Sequence, residues 1–232
     1  MFIGGTIFFL AISLLLYRLM QTQTGALQNS ESRNHDLVEQ QSQRMLEQQI
    51  AIHQLALSLG ELKTLEEIYQ IAYEHVIKLM DAESFIISFY DAKRQLIRAG
   101  FFIANGIKQD VSKFPPIPLE EEGKGTQSKV IRTGEPLTIP DFRAAMGNVV
   151  TEHTLAPDGE VFEGPPPEDR SEQSTNSAIL VPFKDKGETV GVLQVQSYRL
   201  DAYAQMDVEL LAALSNVISM AIQNARLYKE TR

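Results

Sequence analysis

SAILVPFKDKGETVGVLQVQS, residues Ser177–Ser197, holds two apolar runs split by a short polar stretch. AILVPF and ETVGVLQVQS have the length and the aliphatic, β-branched composition of strands, and KDKG between them supplies the charge and the glycine of a tight reversal. The stretch reads as a β-hairpin. Val192, Gln194 and Gln196 fall at every second position of its second arm, so they share one face of the sheet. Two amides on a covered sheet face need hydrogen-bond partners: a ligand, ordered water or neighbouring loops. An exposed face is the alternative.

Working outward, the sequence supplies what such a hairpin packs against. TLEEIYQIAYEHVIKLM places Leu65, Ile68, Ala72, Val76 and Leu79 on one side of a helix. SFIISFY and QLIRAGFFI, divided by DAKR, form a second hairpin. After FPPIP, the segment GKGTQSKVIRTGEP is a short helix bounded by Gly and Pro, and LTIPD is another strand. A final helix begins near Gln205. The order α, β, β, α, β, long loop, β, β, α gives an antiparallel sheet with flanking helices, an α+β fold. The loop over residues 143–176 is longer than a plain connection needs. It is expected to be a lid over a site or a mobile segment, with a small hairpin in HTLAPDGEVF around Asp158 and Gly159.

The segments TLEEIYQIAYEHVIKLMDAESFIISFYDAKRQLI, IPLEEEGKGTQSKVIRTGEPLTIPD, SAILVPFKDKGETVGVLQVQS and YAQMDVELLAALSNVISMAIQNARLYKE, in that order, resemble a GAF domain over residues 62–232. The resemblance implies a small-ligand or regulatory module, often dimeric through its terminal helices, that feeds a histidine kinase, a cyclase, a phosphodiesterase or a phosphatase. It implies a pocket between one sheet face and the short helix and loops that cover it. The nearest equivalents of lining positions are Phe101, Thr126, Asp141, Phe142, His153 and Ser177, joined by Gln194 and Gln196.

The same resemblance narrows the chemistry. Members that bind cyclic nucleotides carry Asn-Lys, then Phe, three residues and Asp-Glu. SYRLDAYAQMDVE offers Ser197, Tyr198, Tyr203, Asp207 and Val208 at those places, which cannot build that salt bridge. Covalent bilin attachment and reduction of free methionine sulfoxide both need cysteine, and the chain has none. Haem through His153 or His75 stays open as a further alternative. No G-x-S-x-G, H-E-x-x-H or phosphate-binding glycine loop is present, and no other catalytic constellation is found, so a regulatory protein is expected, not an enzyme.

Ahead of the domain, MFIGGTIFFLAISLLLYRLM carries no charge from Phe2 to Tyr17. Residues 1–20 are therefore expected to be a transmembrane anchor, with a cleaved signal or a core helix as alternatives. Arg18 and Arg33 follow the apolar run, which places the rest of the chain on the cytoplasmic side of the inner, cytoplasmic membrane. In the linker over residues 21–61, Val38, Met45, Ile52 and Leu59 recur every seventh residue, with Gln41, Gln48, Leu55 and Leu62 three places later. This is the a/d pattern of a parallel coiled-coil homodimer; a lone amphipathic helix lying on the domain is the alternative.

Net charge −9 and pI of about 5.0 disfavour nucleic acid as a partner. Leu211, Leu214, Ile218, Ala221, Ala225 and Tyr228 continue an apolar stripe to the end of the last helix. Output is therefore expected through a signalling partner in trans, such as a histidine kinase or cyclase, or the domain is a ligand-free dimerisation scaffold.

Overall fold

The computed structural model of the protein describes residues 37–60, 63–146, 153–155, 161–163 and 175–230, together with Arg18, Arg33 and His35. The chain divides into two compact units, Met1–Ile50 and Ala51–Arg232. Apart from Arg18, the expected membrane anchor lies outside the described residues. In the first unit residues 37–50 are helical, and Leu37, Val38, Met45, Leu46 and Ile50 are exposed on that helix.

The second unit is built on an antiparallel sheet. Its strands are β1 (Ser84–Asp91), β2 (Leu96–Ala104), β3 (Ile107–Lys108), β4 (Ile117–Pro118), β5 (Leu137–Ile139), β8 (Ser177–Asp185) and β9 (Glu188–Ser197). They lie in the order β3-β2-β1-β9-β8-β5, with β4 also paired to β2. The short strands β6 (His153–Leu155) and β7 (Val161–Glu163) make a separate two-stranded hairpin, Leu155 opposite Val161. The rest of the 143–176 loop, beyond these strands, its first residues and Thr175–Asn176, lies outside the described residues. The helices of this unit are α1 (residues 51–58), α2 (Leu65–Val76), α3 (Thr126–Thr133), α4 (Phe142–Met146) and α5 (Gln205–Glu230).

One face of the sheet is the main core. Phe85, Ile87, Phe101, Ile103, Ile179, Val181, Leu193 and Val195 meet Ile68, Ala72 and Val76 of α2 and Leu211, Leu214, Ile218 and Ile222 of α5. Each of these side chains other than Ala72, fully buried, contributes roughly 1.5–3 kcal/mol. α2 starts with a reciprocal cap: the Thr64 backbone N–H donates to Glu67 Oε2 at 2.7 Å, and the Glu67 N–H donates back to Thr64 Oγ1 at 3.3 Å. By length and composition α5 could cross a bilayer. In the fold it is the core helix, and its polar groups are fitted to that place. Ser215 Oγ donates to the Pro182 carbonyl at 3.0 Å and Ser219 Oγ to the Lys184 carbonyl at 3.1 Å, flanking the irregularity between Phe183 and Lys184 in the β8–β9 ladder.

Leu55 and Leu59, which the heptad reading assigns to a seam between chains, are buried in this same core, with Ile52 packed against it. An apolar helix face next to an apolar sheet face buries there first. These positions serve the domain, while Val38 and Met45 of the same heptad pattern are exposed.

Candidate functional site

The ladders define the other face of the sheet row by row. Ala104, Ser84, Gln196, Ala178 and Ile139 lie side by side across five strands, and Phe102, Ile86, Gln194, Leu180 and Leu137 form the next row. Two apolar clusters sit at the flanks. Val130, Ile131, Ile139, Ala178, Leu180 and Val192 gather under α3 and extend to Ile97 on β2, and Ile86, Phe102 and Ala104 gather with Val111 and Phe114 farther along β2. Gln194 and Gln196 stand between them.

α3 covers this face, and its entry is wound tightly. The Glu120 N–H donates to Ser128 Oγ at 3.1 Å, and Arg132 donates to the Glu120 carbonyl from Nε at 3.2 Å and from its terminal nitrogen at 2.6 Å. Gly125, the residue that caps α3, has φ +63°, and a Cβ on it would come within 2.2 Å of Glu120 Oε2. Only glycine lets the buried Glu120 carboxylate lie against the start of the helix. One residue into that helix, Gln127 turns toward the sheet. Its Nε2 donates to Gln194 Oε1 at 3.1 Å, while its own Oε1 is buried and has no hydrogen-bond partner among the described residues. Gln196 Oε1 accepts from Thr175 Oγ1 at 2.7 Å.

Gln194, 4% exposed, and half-buried Gln196 thus lie at the centre of this face, with Thr126 on the helix that covers it. Phe142 opens α4 and packs on the flanking cluster with Leu180 and Val192. Asp141 Oδ1 accepts from the Ala144 N–H at 3.1 Å, holding the start of α4. Two residues point elsewhere. Phe101 lies on the helix-covered face, 5.7 Å from Tyr69 and 6.1 Å from Phe85 between ring centres. Ser177 is fully buried at the mouth of β8, donating to the Arg199 carbonyl at 2.7 Å. His153 pairs with Glu163 in the small hairpin, and its side chain lies outside what is described. His75 Nδ1 shares a hydrogen bond with the Ile71 carbonyl at 2.9 Å, on the far side of the sheet.

Gln127, Ser84, Ser88 and Thr175 are the polar groups of this face that motif reading passes over. Gln127 sits inside GKGTQSKV, where the glycines draw attention. Phe101 and Phe102 are adjacent and both buried, so alternation alone does not say which one faces α3.

At the end of the sheet nearest the β9–α5 turn, the Tyr203 hydroxyl donates to the Asp81 carbonyl at 2.8 Å. Burial, then the charges of Glu83, Asp81 and Asp207, push its pKa well above the usual tyrosine range. Arg199 pairs with Asp81, and the Tyr198 hydroxyl donates to Asn105 Oδ1 at 2.8 Å. Two open grooves, of about 300 and 400 Å³, flank Glu66 outside the α3-covered face. Among the described residues no group of three or more His, Asp or Glu is placed to hold a metal ion.

A seven-stranded antiparallel sheet, one face buried under terminal helices and the other under a short glycine-capped helix, is the arrangement of a GAF domain. The GAF domain family profile matches residues 63–223, and the chain belongs to that family. Its fold is similar to the GAF domain of an Acinetobacter phosphoenolpyruvate-protein phosphotransferase, at 16% identity and TM-score 0.59 over 78% of this chain and 95% of that one. It is similar to a methyl-accepting chemotaxis protein fragment at 19% identity and TM-score 0.53, over 76% and 98% of the two chains. It is similar to the free methionine-R-sulfoxide reductase of Neisseria meningitidis at 16% identity and TM-score 0.54, over 78% and 91%. At these identities the likeness is one of fold. No curated protein sequence matches the chain.

Proposed function

We propose that this GAF domain is a regulatory sensor that binds a small molecule between α3 and the Gln194–Gln196 face of its sheet. The observation that carries the reading is the buried Gln127 Oε1, which has no hydrogen-bond partner among the described residues while its Nε2 bonds Gln194. A buried acceptor left unmade costs about 1–3 kcal/mol, and a ligand that donates to it removes that cost. In this reading residues 1–20 anchor the chain in the cytoplasmic membrane with the domain on the cytoplasmic side. The helix over residues 37–50 pairs in parallel with a second copy. Ligand occupancy shifts the pairing of the terminal helices, which a partner such as a histidine kinase or cyclase reads in trans. Support for helix pairing comes from apolar side chains left on the outer face of α5, Met220 at 61% and Leu227 at 60% exposure.

The fold neighbours include methionine sulfoxide reductases, but without cysteine this chain has no thiol to attack a sulfoxide, so a reductase is not proposed. A ligand-free dimerisation scaffold is the second reading. It is favoured by the two apolar clusters that fill the flanks of the same sheet face.

Native mass spectrometry of the protein purified from its own host, with an absorption spectrum, tests the choice. A bound mass of small-molecule size supports the sensor, and a haem band would name the ligand as haem. A bare dimer, with no melting shift across a broad metabolite set, supports the scaffold.

A further inference from the structure

We propose that the turn between β9 and α5, residues 198–204, is a coupling joint. It binds the two described ends of the 143–176 loop to the start of α5, so that the loop ends and the helix start loosen or tighten together. The joint needs no bound ligand and stands apart from the choice between sensor and scaffold.

A turn that reverses the chain leaves backbone groups that neither the strand nor the helix satisfies. Here Asp201 takes part in the reversal at φ +48°, and the loop ends take up what it leaves over. The Asn176 N–H donates to the Ser197 carbonyl at 2.9 Å, and Asn176 Nδ2 donates to the Tyr198 carbonyl. Ser177 Oγ donates to the Arg199 carbonyl at 2.7 Å and accepts from the Ala202 N–H at 3.4 Å. Three successive carbonyls are thus held by two residues at the end of the loop. At the loop's start, the Pro140 carbonyl accepts the Asp201 N–H at 2.8 Å, and the Phe142 N–H joins the two ends by donating to the Asn176 carbonyl at 2.8 Å.

The same turn is also tied to the body of the domain. The Tyr198 hydroxyl bonds Asn105, the Arg199 guanidinium pairs with Asp81, and the buried Tyr203 donates to the Asp81 carbonyl. One residue later the Ala204 N–H donates to Asp207 Oδ2 at 2.8 Å, which closes the first turn of α5. Residues 198, 199, 201, 202 and 203 each carry at least one of these bonds, so a shift at Asn176 or Pro140 meets little slack before it reaches Ala204. Ser177 and Ser197 are fully buried, so a bond broken there leaves an unmet polar group, and the network opens as a unit. The far half of α5 is held separately, by Ser219 and Gln223 on the Lys184 carbonyl. A change that passes through the joint is therefore confined to the near end of the helix.

Hydrogen exchange of the full chain in detergent micelles, read by mass spectrometry, tests the joint from both directions. Asn176→Ala removes the side-chain bond to Tyr198 and is expected to speed exchange in residues 204–211, the first turns of α5, by about five- to ten-fold, with residues 218–226 unchanged within about two-fold. Coupling is reciprocal, so Asp207→Ala, which opens the first turn of α5, is expected to speed exchange in the peptides spanning Phe142 and Asn176 by a similar factor. Should Asn176→Ala not fold, the Asp207→Ala measurement decides alone. Exchange that rises on the mutated side of the turn and not across it overturns the joint. A rise spread evenly over all of α5 overturns it too, since that is general destabilisation. Either result leaves the sensor and scaffold readings standing, because those turn on bound mass and not on exchange.

Discussion

The guanidinium of Arg226 lies 4.3 Å over the ring of Phe89, joining the last turns of α5 to the end of β1. Phe89 in turn stacks on Phe183 at 6.4 Å and leans toward Tyr69 at 6.1 Å, and it lies flat because Gly100 beneath it has no Cβ to strike its ring. A cation over an aromatic face is worth about 0.5–2 kcal/mol, depending on how far it is desolvated. Arg226→Ala is therefore expected to cost about 1 kcal/mol in urea denaturation and to speed amide exchange in the last turn of α5, with Arg226→Lys between the two. The Tyr69 phenol, raised by burial and drawn partly back by Arg226, should titrate higher in Arg226→Ala. An unchanged Tyr69 titration would show that the guanidinium does not act on it.

Gly125 and Glu120 make a second coupled pair. Gly125→Ala places a methyl where the Glu120 carboxylate lies and puts alanine at φ +63°, so it is expected to cost about 2–4 kcal/mol. Glu120→Ala removes the clash and leaves the backbone strain. The double variant should then be more stable than the sum of the two single losses predicts, by about 1 kcal/mol or more in a double-mutant cycle. Strict additivity would mean that the carboxylate moves aside freely.

The burial of Leu55 and Leu59 separates two effects that the heptad pattern merges. Leu55→Ala is expected to destabilise the domain by about 2–5 kcal/mol, as a deletion in a packed core does. Val38→Asp with Met45→Asp changes exposed positions and should leave domain stability within about 0.5 kcal/mol while dissociating the proposed dimer. Equilibrium unfolding and light scattering on the same samples tell the two apart. A pair of variants with the opposite effects would place the seam at the domain-proximal end.

The fold was legible because its strands and helices carry their periods plainly. AILVPF, the KDKG turn and ETVGVLQVQS appear as β8, its turn and β9, and the long α5 and the capped α2 fall where the apolar spacing puts them, except that α2 ends at Val76 and leaves Leu79 exposed beyond it. Even the weak HTLAPDGEVF hairpin pairs, as β6 and β7. Two kinds of information were not legible. Which partner an apolar helix face chooses depends on what stands opposite it in space, so the pattern alone left open whether Ile52, Leu55 and Leu59 served a coiled coil or the domain. And when both faces of a strand are covered, as at Phe101 and Phe102, hydrophobicity loses its alternation and no longer marks the face. The amides of Gln194 and Gln196 stood out because they interrupt an apolar run. Gln127 did not, since a glutamine in a short polar helix is unremarkable until the fold turns it inward.

Tyr203 gives the domain an alkaline limit. Its hydroxyl is a buried donor to the Asp81 carbonyl among Glu83, Asp81 and Asp207, so the neutral form is favoured when folded and the pKa is raised above the ordinary value near 10.0. A group whose pKa is raised on folding gives stability that is fully present below its unfolded pKa and declines as pH rises above it. The wild-type domain should therefore hold its stability up to about pH 10 and lose it steadily above. Tyr203→Phe lacks the hydrogen bond and is expected to be less stable by about 1 kcal/mol at pH 7. Having nothing to ionise at that site, it should lose less between pH 10 and 11.5, and the two stability curves should converge. Denaturant midpoints measured at several values across that range check it, and curves that stay parallel would show that Tyr203 remains neutral in the unfolded chain as well, or that its burial is relieved before it titrates.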